Sequence, residues 1–454
     1  DGGRRRMTAA LVVETETGDA RRLRDWLARL TPRRRLRTAL VVLGLLLLAL
    51  LFPPCARHAH AQFPILQHGA TALELGGYVR SLTAIQDLGY TPPGGTRRTG
   101  INGEVVRLKW RLSAGKHVVL VVHDRLQAQV MSAGAPFGET AGIGVSVVPG
   151  RAFDLRADLL TEPRLQVWHD LDRLAVTAYT GVADVTVGRQ AVTWGISSLF
   201  PVADLWTQFS PFELDTEEKP GMDGVRVLLY PTSGLEVDGV VSDRGPVAHL
   251  SWRDVSAGLR ATLSLPSADV YGAVGKFWNE LIGLGGAAFV LDRTKLRLEG
   301  AWPYDLDAHG MELPRLTAGV DWLSSRVTLT GEVHYNGVGA RDAGGYLAQL
   351  TDPRFARGES YFLDRYYAGG AVSWQADAEG RMSVVLSGLV NLSDPSAALT
   401  PLLSYDFGQT TSVSVGALET FGKKPYFPAF GFPDIRSEYG TYGSLWFTRV
   451  SVFF

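Results

Sequence analysis

From residue 69 to the last residue, apolar and polar side chains alternate with a period of two, and the links between alternating runs alternate in length. In "RVTLTGEVHYN" (326–336), Val327, Leu329, Gly331, Val333 and Tyr335 share one face, and Arg326, Thr328, Thr330, Glu332, His334 and Asn336 share the other. "EVVRLKWRL" (104–112) and "RMSVVLSGLVNL" (381–392) follow the same rule. A soluble sandwich alternates as well, so the connections must discriminate. Short turns fall at 113–116, 181–183, 231–234, 265–268, 291–294, 323–326, 376–380 and 407–410. Between them lie longer connections at 85–100, 131–170, 191–221, 243–254, 304–313, 337–365 and 420–439, with short exceptions near Asn279 and Ser393. Tight turns on one side and long loops on the other predict an all-β, antiparallel up-and-down transmembrane barrel with short periplasmic turns and long extracellular loops. The pattern gives about eighteen strands, or sixteen if the regions around Val185 and Val247 are divided differently. No fixed-period repeat supports a solenoid or propeller, and no Ser/Pro-rich linker divides the chain into sandwich modules.

The start of the chain has a different character. "RRRLR" (33–37), an apolar run (38–52) and Ala59-His60-Ala61 have the order of a signal peptide, 33–61, with Gln62 as the first mature residue. The apolar run is shorter than the ~20 residues a spanning helix needs. Residues 1–32 read as an over-extended N-terminus with no assigned role, and 62–454 as the barrel. Residues 62–454 hold 33 Lys and Arg against 41 Asp and Glu, a net of −8, which argues against a nucleic-acid partner. The single cysteine, Cys55, leaves no disulfide to build. The expected location is the outer membrane of a Gram-negative bacterium. Expected partners are membrane lipid, lipopolysaccharide, the barrel-assembly machinery and small hydrophilic solutes; oligomeric state is not legible.

An Arg or Lys on the lipid face at mid-membrane costs roughly 2–4 kcal/mol, so the ionisable groups belong inside. The predicted pore-lining residues are Arg107, Lys109, Arg111, Arg226, Arg260, Arg297, Glu299, Arg326, Glu332, Arg381 and Arg449. So many charges predict a wet lumen; the ladder Arg107-Lys109-Arg111 suggests a mild anion preference, and the plainer alternative is that the charges pair across strands and only keep the lumen hydrated. No catalytic motif, cofactor site or metal site is legible. Glu332 and His334 share the inward face, and their plain reading is as pore-lining groups.

The most distinctive run is "VTVGRQAVTWGISSLFPVADLWTQFSPFELDTEEKPGMDGVRV" (185–227). A loop carrying Trp194, Phe200, Trp206, Phe209 and Phe212 is too apolar to hang in water. It is expected to narrow the pore, with Arg189, Gln190, Trp194 and Asp204 at the constriction. A bulge at Gly188 would turn Arg189 inward. The acids Glu213, Asp215, Glu217, Glu218 and Asp223 are expected to be solvated in an outer loop, with a divalent ion at the lipopolysaccharide surface as the alternative. "GRQAVTWG" followed by "DLWTQFSPFELDTEEKPGMDGVRV" resembles a porin-like, largely uncharacterised proteobacterial outer-membrane family, and more distantly alginate-export and phosphate-selective porins. The resemblance implies an outer-membrane barrel for solute passage and names no substrate. The expected function is passive diffusion of small hydrophilic solutes; the alternatives are a loop-plugged barrel serving a structural or export role and, behind it, an outer-membrane enzyme.

The closing run "LWFTRVSVFF" (445–454) places Trp446, Val450, Val452 and Phe454 toward lipid and Arg449 toward the lumen. That amphipathic last strand with a terminal Phe has the form of an assembly signal.

Overall fold

The computed structural model describes residues 63–132, 151–245, 251–428 and 432–454. The signal-peptide reading and residues 1–32 lie outside them. Eighteen strands pair antiparallel, each with its sequence neighbours. The first nine are β1 (Thr71–Asp87), β2 (Arg98–Ala114), β3 (Val118–Met131), β4 (Leu165–Tyr179), β5 (Ala183–Gln190), β6 (Met222–Thr232), β7 (Leu235–Asp243), β8 (Val255–Leu265) and β9 (Ala268–Phe277). The second nine are β10 (Glu280–Leu291), β11 (Thr294–Asp305), β12 (Arg315–Leu323), β13 (Val327–Asn336), β14 (Tyr366–Gln375), β15 (Met382–Asn391), β16 (Ser396–Phe407), β17 (Thr411–Phe421) and β18 (Ser444–Phe453). β18 pairs with β1 from Ser444↔Asp87 to Phe453↔Tyr78, so the sheet closes on itself and has no free edge. Short strands at Phe63–His68, Arg156–Glu162 and Gly310–Met311 extend the sheet alongside β1, β4 and β11.

All eight tight turns and the longer connections fall where the alternation placed them. The register carries the two faces through every strand, because directly opposed residues point the same way. Leu298, Val320, Trp322, Val333, Val372, Trp374, Trp446 and Val450 stand exposed on the outer face. Their partners one residue away point inward. One expected lipid contact is different: Phe454 is only 8% exposed. Its backbone exchanges two hydrogen bonds with Gly77, at 2.8 and 3.0 Å, and its ring covers the space where a Gly77 side chain would stand. A small residue opposite the strand end thus sheathes the aromatic ring. Arg326 and Arg381, expected on the wall, lie in the tight turns before β13 and β15 and are exposed; Arg381 pairs there with Glu379 at 2.8 Å.

Candidate functional site

The loop of residues 191–221 between β5 and β6 turns into the barrel and is held by inward-facing side chains on widely separated strands. On one side Trp194 Nε1 donates to Asp238 of β7 at 2.8 Å, and the Ile196 N–H donates to Glu299 of β11 at 2.8 Å. The Glu332 carboxylate on β13 then accepts three successive backbone N–H groups, from Ser198 (2.7 Å), Leu199 (2.9 Å) and Phe200 (3.0 Å). Arg297 of β11 bridges this point, pairing with Glu332 and Asp321 at 2.8 Å each and donating to Ser198 Oγ. Thr317 of β12 donates to the Phe200 carbonyl at 2.9 Å. Three N–H groups converging on one carboxylate would otherwise be orphaned, because a loop without regular structure has no ladder partners.

The other half of the loop crosses to the β18–β1–β2 wall. Arg80 pairs with Asp215 and, at 2.7 Å, with Glu217; Lys109 pairs with Glu218 at 2.6 Å; Arg449 donates to the Leu214 carbonyl at 2.8 Å. The acidic run is therefore not solvated outside the barrel. Its carboxylates are the counter-charges of the inner basic wall, because two opposite charges leaving water together cost less than either leaving alone. Arg107, one step nearer the long-loop end than Lys109, is bidentate to Asp172 at 2.8 and 3.1 Å, with both side chains 2% exposed. Arg111 lies 3.7 Å from Glu74 in a more open position. Arg226 pairs with Asp238 at 2.8 Å, and Arg260 lies over the Tyr271 ring. The wet, basic lumen expected from the sequence is, at the level of the loop, a set of buried ion pairs.

Apolar packing supplies the rest of the hold. Trp194, Trp206 and Phe277 form edge-to-face contacts with centroids 4.7 to 6.4 Å apart, within a cluster that includes Val192, Leu205, Met222 and Ile282. Phe200 stacks on His334 (5.1 Å, 6°) in a second cluster with Phe362, Tyr367, Leu418, Tyr439 and Phe447. His334 also faces Thr317 Oγ1 at 3.0 Å, so Glu332 and His334 both serve to seat the loop. Inner-wall glycines make room: a Cβ at Gly258 would fall 2.8 Å from Trp194, and one at Gly369 would fall 2.9 Å from Leu199. Each fully buried aromatic is worth roughly 2–3 kcal/mol relative to exposure.

The four residues placed at the constriction separate. Trp194 and Asp204 are in the inward loop; Asp204 pairs with Lys219. Arg189 is 1% exposed and bidentate to Asp223 at 2.7 and 2.8 Å, and it also donates to the carbonyls of Leu171 and Phe153. It clamps β5 and β6 to β4 and to the segment before β4, and does not line an opening. No bulge turns it: the β4–β5 register runs unbroken, while Gly188 has φ +119°. Gln190 caps the same corner, donating to the carbonyls of Thr186 and Gly224. Arg80 and Asp172 were missed, although Arg80 shares the Tyr78 face of β1 and so carried the same inward signal as the ladder.

Between the loop and the β15–β16 wall a cavity of about 370 Å³ remains. Thr193, Gln208, Phe209 and Thr216 border it from the loop, and Ser387, Leu389, Ala398 and Thr400 from the wall; Asp204, Glu213 and Lys219 are its charged lining residues.

The long-loop end is tied by buried acids. Glu438 accepts from the Tyr367 hydroxyl (2.6 Å), the Asn391 amide (2.8 Å) and the Leu363 N–H (3.1 Å), while its own N–H donates to Asp394 (2.6 Å). The Tyr346 hydroxyl lies 2.8 Å from both the Asp364 and Asp394 carboxylates. Burial is the main cause that pushes the Glu438 carboxyl up to about 8; Asp394 adds to it and the three donors oppose it. The packed loop therefore holds its proton more tightly than a free glutamate, with pKa ~4.3, would. Packing is fullest at acidic pH and weakens as pH rises through 8. The protection factor of the Leu363 amide, with intrinsic exchange divided out, should fall between about pH 5 and 8 in the native protein and lose this fall in Glu438→Gln; a pH-independent native protection factor would refute it.

No family model and no curated relative matches the chain. Among solved structures, the fold is similar to that of the outer membrane protein OpdK from Pseudomonas aeruginosa, with TM-score 0.51, 9% identity, and coverage of 84% of this chain and 98% of that one. It is similar to OccK2 (OpdF) from Pseudomonas aeruginosa at TM-score 0.52 and 12% identity, covering 84% and 97%. A BenF-like porin from Pseudomonas fluorescens Pf-5 gives 0.52 and 11%, covering 84% and 98%. At such identities the likeness is one of fold: a closed antiparallel 18-strand barrel, the architecture of outer-membrane porins.

Proposed function

We propose that this protein is an outer-membrane channel for passive diffusion of small hydrophilic solutes, narrowed by the inward loop 191–221. The observation that carries this reading is a closed barrel with an apolar outer face, its interior crossed by a loop that leaves a cavity of about 370 Å³, with polar and apolar lining, against one wall. The low-identity likeness to porin structures supports the same architecture and lends no substrate. The basic ladder no longer argues for anion preference, since its charges are matched by Asp172 and Glu218 and, for Arg111, approached by Glu74. A second reading, a loop-plugged scaffold, draws on the two apolar clusters inside the barrel. Purified protein in a planar bilayer separates them. Steady open steps, smaller than those of an unobstructed barrel of this strand number, are the expected result; an electrically silent membrane would favour the scaffold.

A further inference from the structure

The cavity beside the loop lies against an inner wall without charge. Opposed residues across β14 to β17 share the inward face: Ala371↔Ser387, Ser387↔Thr400, Leu389↔Ala398 and Ser404↔Ser414. From the outer turn at Asp394 to Asp406 near the short-turn end, no Asp, Glu, Lys or Arg occupies an inward position on these four strands. The loop's acids Asp215, Glu217 and Glu218 face Arg80 and Lys109 on the β1–β2 wall, beyond β17 and β18 around the barrel. The charged residues on the cavity lining are Asp204, Lys219 and Glu213; Asp204 and Lys219 neutralise one another, and Glu213 is not left without a partner. Toward the cavity the loop offers hydroxyls, the Gln208 amide and the Phe209 ring.

This division has a consequence for what can pass. A charged solute entering the cavity leaves water without meeting an uncompensated counter-charge, so its desolvation is not offset. A neutral polyol exchanges water for Ser387, Thr400, Thr193 and Gln208, and can lay its apolar C–H face on Phe209. Resting on the channel reading above, we propose that the cavity selects uncharged, polyhydroxylated solutes of monosaccharide size over carboxylates and amines of the same size. The basic wall acts as the loop's clamp and does not line the cavity.

Uptake of radiolabelled D-glucose, D-gluconate and D-glucosamine into proteoliposomes held at zero potential tests this. Glucose should enter roughly tenfold faster than either charged analogue. In Ser387→Arg, whose side chain enters the cavity without touching the loop's clamps, glucose uptake should fall and the gluconate-to-glucose ratio should rise. Gluconate or glucosamine entering native vesicles as fast as glucose would overturn the solute class while leaving the channel intact. Failure of all three solutes, together with absence of current, would instead remove the channel reading and this inference with it.

Discussion

Replacing Glu332 with alanine should raise single-channel conductance several-fold. The carboxylate accepts three backbone N–H groups from residues 198–200, and hydrogen bonds to a charged acceptor contribute roughly 1.5–3 kcal/mol each. Their loss leaves the loop's first half with the Trp194–Asp238, Ile196–Glu299, Arg297–Ser198 and Thr317–Phe200 bonds and apolar packing. Arg297 keeps Asp321 at 2.8 Å, so the wall does not acquire an unpaired buried cation. The strand ladder on both sides of Glu332 is untouched, and the variant should still insert and migrate as a heat-modifiable barrel. Glu332→Gln tests the charge alone: its amide keeps the shape but meets three donors with one acceptor oxygen, and conductance should rise by less. Unchanged conductance in Glu332→Ala, with the barrel folded, would mean that the loop's position does not limit the opening.

Neutralising the loop acids should turn the channel anion-selective. In a triple variant, Asp215→Asn, Glu217→Gln and Glu218→Gln, the Arg80 and Lys109 side chains lose the carboxylates that now face them. Two cations would then border the lumen, close enough together to set a field that salt only partly screens. The reversal potential in a KCl gradient should move toward chloride, by several-fold in permeability ratio, and the shift should shrink as ionic strength rises. A reversal potential equal to that of the native protein would mean that these acids do not set the field of the lumen. The native protein, with its ladder matched, should lie near the unselective value.

The two faces of each strand were legible because a period of two is a property of the chain alone. Any closed sheet that puts Leu329 and Val333 in lipid must put Glu332 and His334 inside. Turn chemistry and loop length were legible for the same local reason, and they set the strand count. Arg326 and Arg381 were misplaced at strand ends, where alternation continues on paper but the backbone has already turned. The pairing of charges was not legible. Arg107 meets Asp172 across 65 positions and Arg80 meets Asp215 across 135, and no local rule links such separations. Arg189 misled for a related reason: its partners, Asp223 and the carbonyls of Leu171 and Phe153, come from three segments that only the closed barrel gathers. Besides the loop's aromatic residues, the inward glycines Gly258 and Gly369 were a hint that something packs against the wall.

By itself, the sequence determined a closed, even-stranded barrel with lipid on one face, ionisable groups on the other and a loop too apolar for water. Those features follow from backbone geometry and from the cost of exposing aromatic rings, which act on neighbours along the chain. Only the tertiary structure decided where the loop's acids go, and hence that the basic ladder is a clamp and the neutral β14–β17 wall borders the remaining space. Electrostatic pairing depends on distances through space, and closure of the sheet sets those distances.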